Sequence, residues 1–182
     1  MKTKIIILFT ALVSLVCAQA PRGEIELGTL GRGGSWKFNA GPEFPGAEGV
    51  LDFQVVAGRA AGVVTFDFTK GGNYVAAFTG VNVPEGYSEI RFRAKSDGTD
   101  RMAVRLRDSS GQYHQFGISY SNKGDWQDFR VPLDGKKSPL YFHGAKDGRI
   151  YFPITQVWIL INRPTKEPKY GEVVFSEVKA LP

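Results

Sequence analysis

The chain has 182 residues, 42% hydrophobic and 23% charged, which is the composition of about one globular domain and excludes disorder. Its net charge of +5 comes from Lys and Arg scattered among Asp and Glu, a weak basis for nucleic-acid binding. The single cysteine, Cys17, leaves no pair for a disulfide and no thiolate set for zinc.

Residues 1–20 begin with Lys2 and Lys4, continue through an apolar run from Ile5, and end on Ala18-Gln19-Ala20. A basic start, a short apolar stretch and a small-x-small end read as a secretory signal peptide. The expected location is secreted or periplasmic, and after Leu15 no apolar run is long enough for a membrane span. Removing these residues takes away two lysines and no acids, so the mature charge falls from +5 to +3. It also removes Cys17. A lipid anchor at Cys17 is the weaker reading, because Val16 stands where a small residue normally precedes a lipidated cysteine.

Residues 21–34 read as a flexible, Gly-rich lead, and residues 35–182 as one β-sandwich domain, expected to be monomeric. Runs of β-branched and aromatic residues, punctuated by Gly, Pro, Asn and Asp, predict strands. They fall at Ser35–Asn39, Val50–Val56, Ala61–Phe68, Tyr74–Val83, Glu89–Ser96, Arg101–Arg107, Tyr113–Tyr120, Asp128–Leu133, Gln156–Asn162 and Glu172–Ala180. About ten short strands without a sustained helical period mean an all-β sandwich or closed barrel.

One hairpin can be placed in register. A five-residue loop, Asp108 to Gln112, sets Val104 opposite Phe116 and Met102 opposite Ile118. A four-residue loop would mix apolar and polar faces, so burial selects the first pairing. Arg105, Arg107, Tyr113 and Gln115 then share the other face, and His114 falls with Leu106 as a packed histidine. In Gln156–Asn162, Val157, Ile159 and Ile161 form one side. Gln156, Trp158, Leu160 and Asn162 form the other, a mixture suited to a sheltered but open face.

Three segments carry a resemblance. They are Gly41-Pro-Glu-Phe-Pro-Gly-Ala-Glu-Gly49 with Phe66-Asp-Phe-Thr-Lys-Gly-Gly-Asn-Tyr-Val75, then Arg105-Leu-Arg-Asp-Ser-Ser-Gly-Gln-Tyr-His-Gln115, then His143-Gly-Ala-Lys-Asp-Gly148. Around them stand Trp126-Gln-Asp-Phe-Arg-Val-Pro-Leu133 and Gly171-Glu-Val-Val-Phe-Ser-Glu-Val178. Together they resemble a galactose-binding-domain-like jelly roll, the fold of carbohydrate-binding modules attached to secreted bacterial glycoside hydrolases. The resemblance spans Trp36 to Leu181 and implies a jelly-roll β-sandwich that binds a poly- or oligosaccharide without catalysis. Fold alone does not establish function.

On that reading Trp158 and Tyr113 are the expected stacking residues, and Arg105, Arg107, Gln115, Gln156 and Asn162 the hydrogen-bonding ones. The loop with His143, Lys146 and Asp147 is expected to close one side. Trp36 and Trp126 read as packing residues. For Trp158 a packed role weighs equally, and for the arginines so does pairing with protein carboxylates. Relatives of this kind often hold a structural calcium ion between an early acid and the last strand. Here Glu43, Glu48 and Asp52 are the early acids and Glu177 the late one, with Glu48 and Glu177 the expected pair. Ser176 stands where relatives have a second aspartate. Two rival functions remain: a polysaccharide-degrading enzyme, either a lyase with Tyr113 or His143 as base or a glycosidase with a carboxylate pair, and a protein-interaction jelly roll.

Overall fold

Alternation of inward and outward side chains along the strands makes this chain a sandwich, with the central strands Arg59–Asp67, Tyr74–Val83, Ile154–Asn162 and Tyr170–Leu181 buried on both sides over part of their length. A computed structural model describes residues 23–31, 33–99, 101–121, 124–133 and 138–182. The expected signal peptide and Cys17 lie outside the described residues. The described residues form twelve strands: β1 (Ile25–Glu26), β2 (Lys37–Asn39), β3 (Glu48–Val56), β4 (Arg59–Asp67), β5 (Tyr74–Val83) and β6 (Glu89–Ser96), followed by β7 (Arg101–Arg107), β8 (Tyr113–Ser119), β9 (Gln127–Pro132), β10 (Leu140–Phe142), β11 (Ile154–Asn162) and β12 (Tyr170–Leu181).

They make two antiparallel sheets. One has the order β3-β4-β12-β6-β9, with β1 also paired to β12; the other has the order β10-β8-β7-β11-β5-β2. The two inner faces close on one core. Val104, Val157, Ile159 and Ile161 come from the second sheet, and Val64, Phe92, Val173 and Phe175 from the first. Side chains of both sheets interdigitate there, as in other jelly rolls. This confirms the all-β jelly-roll expectation. The two strands not anticipated are β1 and the three-residue β10.

The β7–β8 hairpin has the expected register: Val104 pairs with Phe116, Met102 with Ile118 and Leu106 with His114. The segment 21–34 is a correction. Its described part is built into the sandwich rather than leading up to it. Ile25 and Glu26 pair with Ala180 and Lys179, and Leu27 is 1% exposed in the core. Gly28, with φ of +79°, packs against the Trp36 ring. Three well-placed apolar residues, Ile25, Leu27 and Leu30, outweigh the glycines around them.

Trp36 is buried edge-on to Phe175, as its alternation with Phe38 requires. Trp126 is not between the sheets. Phe129 and Val131 point inward, so a residue three before Phe129 has the opposite parity and faces out. It lies half-buried on the outer surface of the first sheet, against Ala61, Val63 and Val174, with Arg93 and Lys95 over its ring.

Candidate functional site

The outer face of the second sheet collects seven residues that the sequence nominated. Register puts Arg105 between Gln115 on β8 and Trp158 on β11, and Phe78 of β5 follows in the same row. The next row runs Phe142, Tyr113, Arg107 and Gln156 across β10, β8, β7 and β11. Asn162 pairs with Tyr74 nearer the far end.

The rings stand on edge. Adjacent strands are about 4.8 Å apart, and Phe78 and Trp158 stack at 4.3 Å with a 15° interplanar angle. Rings stacked at the strand spacing must rise perpendicular to the sheet. Arg105 flanks the other side of Trp158, with its guanidinium carbon 5.8 Å from the ring centre. Both indole faces are therefore flanked by protein, and the indole presents mainly its edge outward. The second row repeats the pattern: Tyr113 stacks on Phe142 at 5.3 Å and carries Arg107 on its other side at 5.7 Å.

Arg105 is the centre of the arrangement. Tyr74, Phe142, Trp158 and Tyr113 surround its guanidinium at 5.0 to 6.0 Å. Its Nε and Nη2 both donate to Gln115 Oε1, at 3.0 and 2.9 Å, and Nη1 donates to the Tyr74 hydroxyl at 3.4 Å. Tyr74 in turn donates to Glu43. Burial pushes the Tyr74 phenol above its ordinary pKa and the Glu43 carboxylate adds to this, outweighing Arg105. Glu43, Tyr74, Arg105, Gln115, Phe142 and Asn162 line a cleft of about 380 Å³. Gln156 accepts from the indole nitrogen of Trp158 at 3.0 Å, which leaves its amide nitrogen as a donor.

Sequence reasoning missed Tyr74, Phe78 and Phe142, and gave Glu43 a metal role in place of its hydrogen bond to Tyr74. Tyr74 and Phe78 had a readable signal, since the β5 pattern Tyr74, Ala76, Phe78 shares the parity that faces Trp158 across the ladder. Glu43 reaches the face only through the path of its loop, and Phe142 through the short strand β10, which the sequence pattern did not reveal.

The loop after β10 is placed by a buried polar network. Asp108 Oδ2 lies 2.9 Å from His114 Nε2, and His114 Nδ1 lies 2.9 Å from Ser138 Oγ. All three are nearly inaccessible, at 1%, 0% and 3%. The carboxylate can only accept, so Nε2–H donates to Asp108, and Nδ1 is hydrogen-bonded to the Ser138 hydroxyl. Burial alone would raise the Asp108 pKa. Hydrogen bonds from His114, Ser110 and the amides of Tyr151 and Gln112 outweigh it and hold the carboxyl below its usual value. Buried Gln112 accepts from the amides of Asp147 and Gly148 and donates to the Arg149 carbonyl.

Asp147 belongs to this scaffold. Its Oδ1 accepts from the Arg149 amide at 2.9 Å and its Oδ2 from the Tyr151 hydroxyl at 2.8 Å. Those two bonds, in that order, hold its pKa low. His143 sits edge-on to Tyr113 and Phe142 at the margin of the face, and Lys146 is exposed on the same loop. Gly144 has φ of +50°, and a Cβ there would stand 2.2 Å from the Gln112 backbone nitrogen. Gly144→Ala is expected to cost about 1–3 kcal/mol through this clash and backbone strain, read as a fall in the thermal midpoint.

The expected calcium pair does not form. Glu48 is aligned with Asp67, and Asp67 with Tyr170, while Glu177 lies seven residues further along β12. At about 3.3 Å per residue the two acids are more than ~20 Å apart. Each has a cation instead: Glu48 holds Lys70 at 2.7 Å and Glu177 holds Arg59 at 2.9 Å. Sequence spacing from the chain ends could not show which end of the sheet each acid occupies. Among the described residues no three His, Cys, Asp or Glu side chains gather as a metal site.

No protein-family model and no curated protein sequence matches the chain. Solved structures do. The family 11 carbohydrate-binding module of the cellulosomal cellulase Lic26A-Cel5E of Clostridium thermocellum superposes with a TM-score of 0.67 at 16% identity, over 89% of this chain and 96% of that one. The family 11 module from Clostridium thermocellum in complex with a β-1,3-1,4-mixed-linked tetrasaccharide gives 0.60 at 16% identity, over 81% and 88%. An exo-β-agarase gives 0.53 at 12% identity over 81% of this chain, which corresponds to 23% of that enzyme's chain. The chain has the jelly-roll fold of these carbohydrate-binding modules.

Proposed function

We propose that this protein is a non-catalytic carbohydrate-binding domain, acting outside the cytoplasm, whose outer β10-β8-β7-β11-β5-β2 face receives a poly- or oligosaccharide. The observation that carries this is the packed row of polar edges on one open sheet face. Arg105, Arg107, Gln115, Gln156 and Asn162 alternate there with the edges of Trp158 and Tyr113. Sugar hydroxyls need several planar donors and acceptors held at fixed spacing, and a stiff sheet with interleaved rings supplies them. The family 11 module solved with a mixed-linked tetrasaccharide has the same fold and supports the reading.

Because both faces of Trp158 are flanked, recognition rests more on hydrogen bonds than on a flat stacking platform. Trp158 keeps the guanidinium of Arg105 upright and offers its edge. A glycosidase would need two carboxyl groups at set separation. The cleft lining carries one, Glu43, already bonded to Tyr74. The Asp108–His114–Ser138 chain is sealed from any substrate and serves the loop.

A glycan-array screen of the purified protein tests the reading, with binding to at least one polysaccharide class as the expected result. Trp158→Ala is expected to keep the β-sheet circular dichroism, lower the melting point and weaken glycan binding by roughly tenfold to a hundredfold, or about 1–3 kcal/mol. Binding unaffected by that substitution would place the ligand on another surface.

A further inference from the structure

On the first sheet Arg59, Arg91 and Arg93 each have a carboxylate, Glu177 at 2.9 Å, Glu89 at 2.6 Å and Asp128 at 3.1 Å, whereas Arg130 on β9 is exposed and, among the described residues, has none within 4.0 Å. On the second sheet, among the described residues, neither Arg105 nor Arg107 has a carboxylate within 4.0 Å. Arg105 is bound instead to Gln115 and Tyr74 inside its aromatic box. Arg107 has less still. Its Nε is sealed from solvent without a hydrogen-bond partner, and its side chain makes no hydrogen bond among the described residues.

A guanidinium whose Nε is sealed without an acceptor is costly, because that donor loses water and gains nothing in return. Its planar fork matches a carboxylate or a sulfate oxygen pair. Arg107 lies against the Tyr113 ring, with Gln156 next to it on β11. His143 packs edge-on to the same tyrosine at 6.0 Å. We propose that Arg107, with Gln156 beside it and His143 against the same tyrosine, forms a subsite for an anionic group on the bound glycan, a uronate carboxylate or a sulfate ester. This rests on the carbohydrate-binding reading and narrows it to acidic polysaccharides.

The test measures affinity of the intact protein for four polymers: mixed-linked β-glucan and agarose as neutral chains, polygalacturonate as a carboxylate and carrageenan as a sulfate ester. At about 20 mM salt at least one anionic chain is expected to bind roughly tenfold or more tightly than either neutral one, since a charge-assisted hydrogen bond contributes on this scale. Which anionic polymer responds tells carboxylate from sulfate. Raising salt to about 500 mM is expected to remove most of the difference, because the Debye length then falls below ~5 Å. Arg107→Gln is expected to abolish the preference, and Arg107→Lys to keep its salt sensitivity with weaker binding.

Equal affinity for neutral and anionic chains, or affinity indifferent to salt, overturns the anionic subsite while the carbohydrate-binding reading stands. A preference that survives Arg107→Gln in a folded protein overturns the assignment to Arg107. Failure to bind any of the four, together with a blank glycan array, overturns both readings. Should Arg107→Gln fail to fold, the wild-type salt series and His143→Gln decide the question: loss of at least part of the preference supports the subsite and an unchanged preference overturns it.

Discussion

Asp108→Ala is expected to destabilise the protein by about 3–5 kcal/mol, because it strips the acceptor from several buried donors at once, each costing about 1–3 kcal/mol when left unsatisfied. The Asp108 carboxylate is 1% exposed and takes hydrogen bonds from His114, from both the amide and the hydroxyl of Ser110, and from the amides of Gln112 and Tyr151. Removing it leaves several donors buried without an acceptor. Asp108→Asn keeps one acceptor oxygen and is expected to cost less, about 1–3 kcal/mol. The midpoint of urea unfolding, read at constant slope, measures both.

The same group sets an acid limit. Its folded pKa is depressed, so its contribution is fully present above the unfolded value near ~3.9 and is lost as pH falls through the lower folded value. Wild-type stability should therefore decline in the strongly acidic range, and Asp108→Asn should flatten part of that decline. A parallel decline in both proteins would remove Asp108 as its source. A functional effect follows as well. Asp108 and His114 anchor Ser138 and Tyr151, which bracket the segment carrying Phe142 and His143. Loosening the network is expected to weaken glycan binding although none of its members reaches the open face.

Arg105→Ala is expected to reduce glycan binding about a hundredfold and stability by about 1–3 kcal/mol. The guanidinium is the shared contact of four aromatic rings, each cation–π contact worth roughly 0.5–2 kcal/mol according to its exposure. Its loss frees Gln115 and Tyr74 at once. Arg105 and Trp158 touch, so their effects should not add. A double-mutant cycle with Trp158→Ala is expected to show a coupling of about 0.5–2 kcal/mol. Additive effects would mean that the two side chains act independently, contrary to the packing seen here.

The fold was legible because alternation is a local signal with a global consequence. In Gln156–Asn162 the parity of Val157, Ile159 and Ile161 fixes which side meets the core, and with it which side Gln156, Trp158 and Asn162 present. Burial of the apolar sets of β7 and β8 selects the five-residue Asp108–Gln112 loop and so the register, which places Arg105, Arg107, Tyr113 and Gln115 on one face from sequence alone. Parity also places Trp126 outward, once it is counted from Phe129.

Tertiary structure decided what period-two patterns do not encode. Neighbours in the sheet come from its strand order, so only the fold shows that β5 lies beside β11 and brings Tyr74 and Phe78 to the site. Loop paths bring Glu43 to Tyr74 and make Asp147 a scaffold residue. Register along β3, β4 and β12 also leaves Glu48 and Glu177 far apart with separate cations. The sequence by itself determined which residues share a face. Only the folded chain decided their partners: why Trp158 is flanked on both sides, why Arg105 is boxed in, and why Arg107 is left without an acceptor, because those depend on side chains from strands distant in sequence.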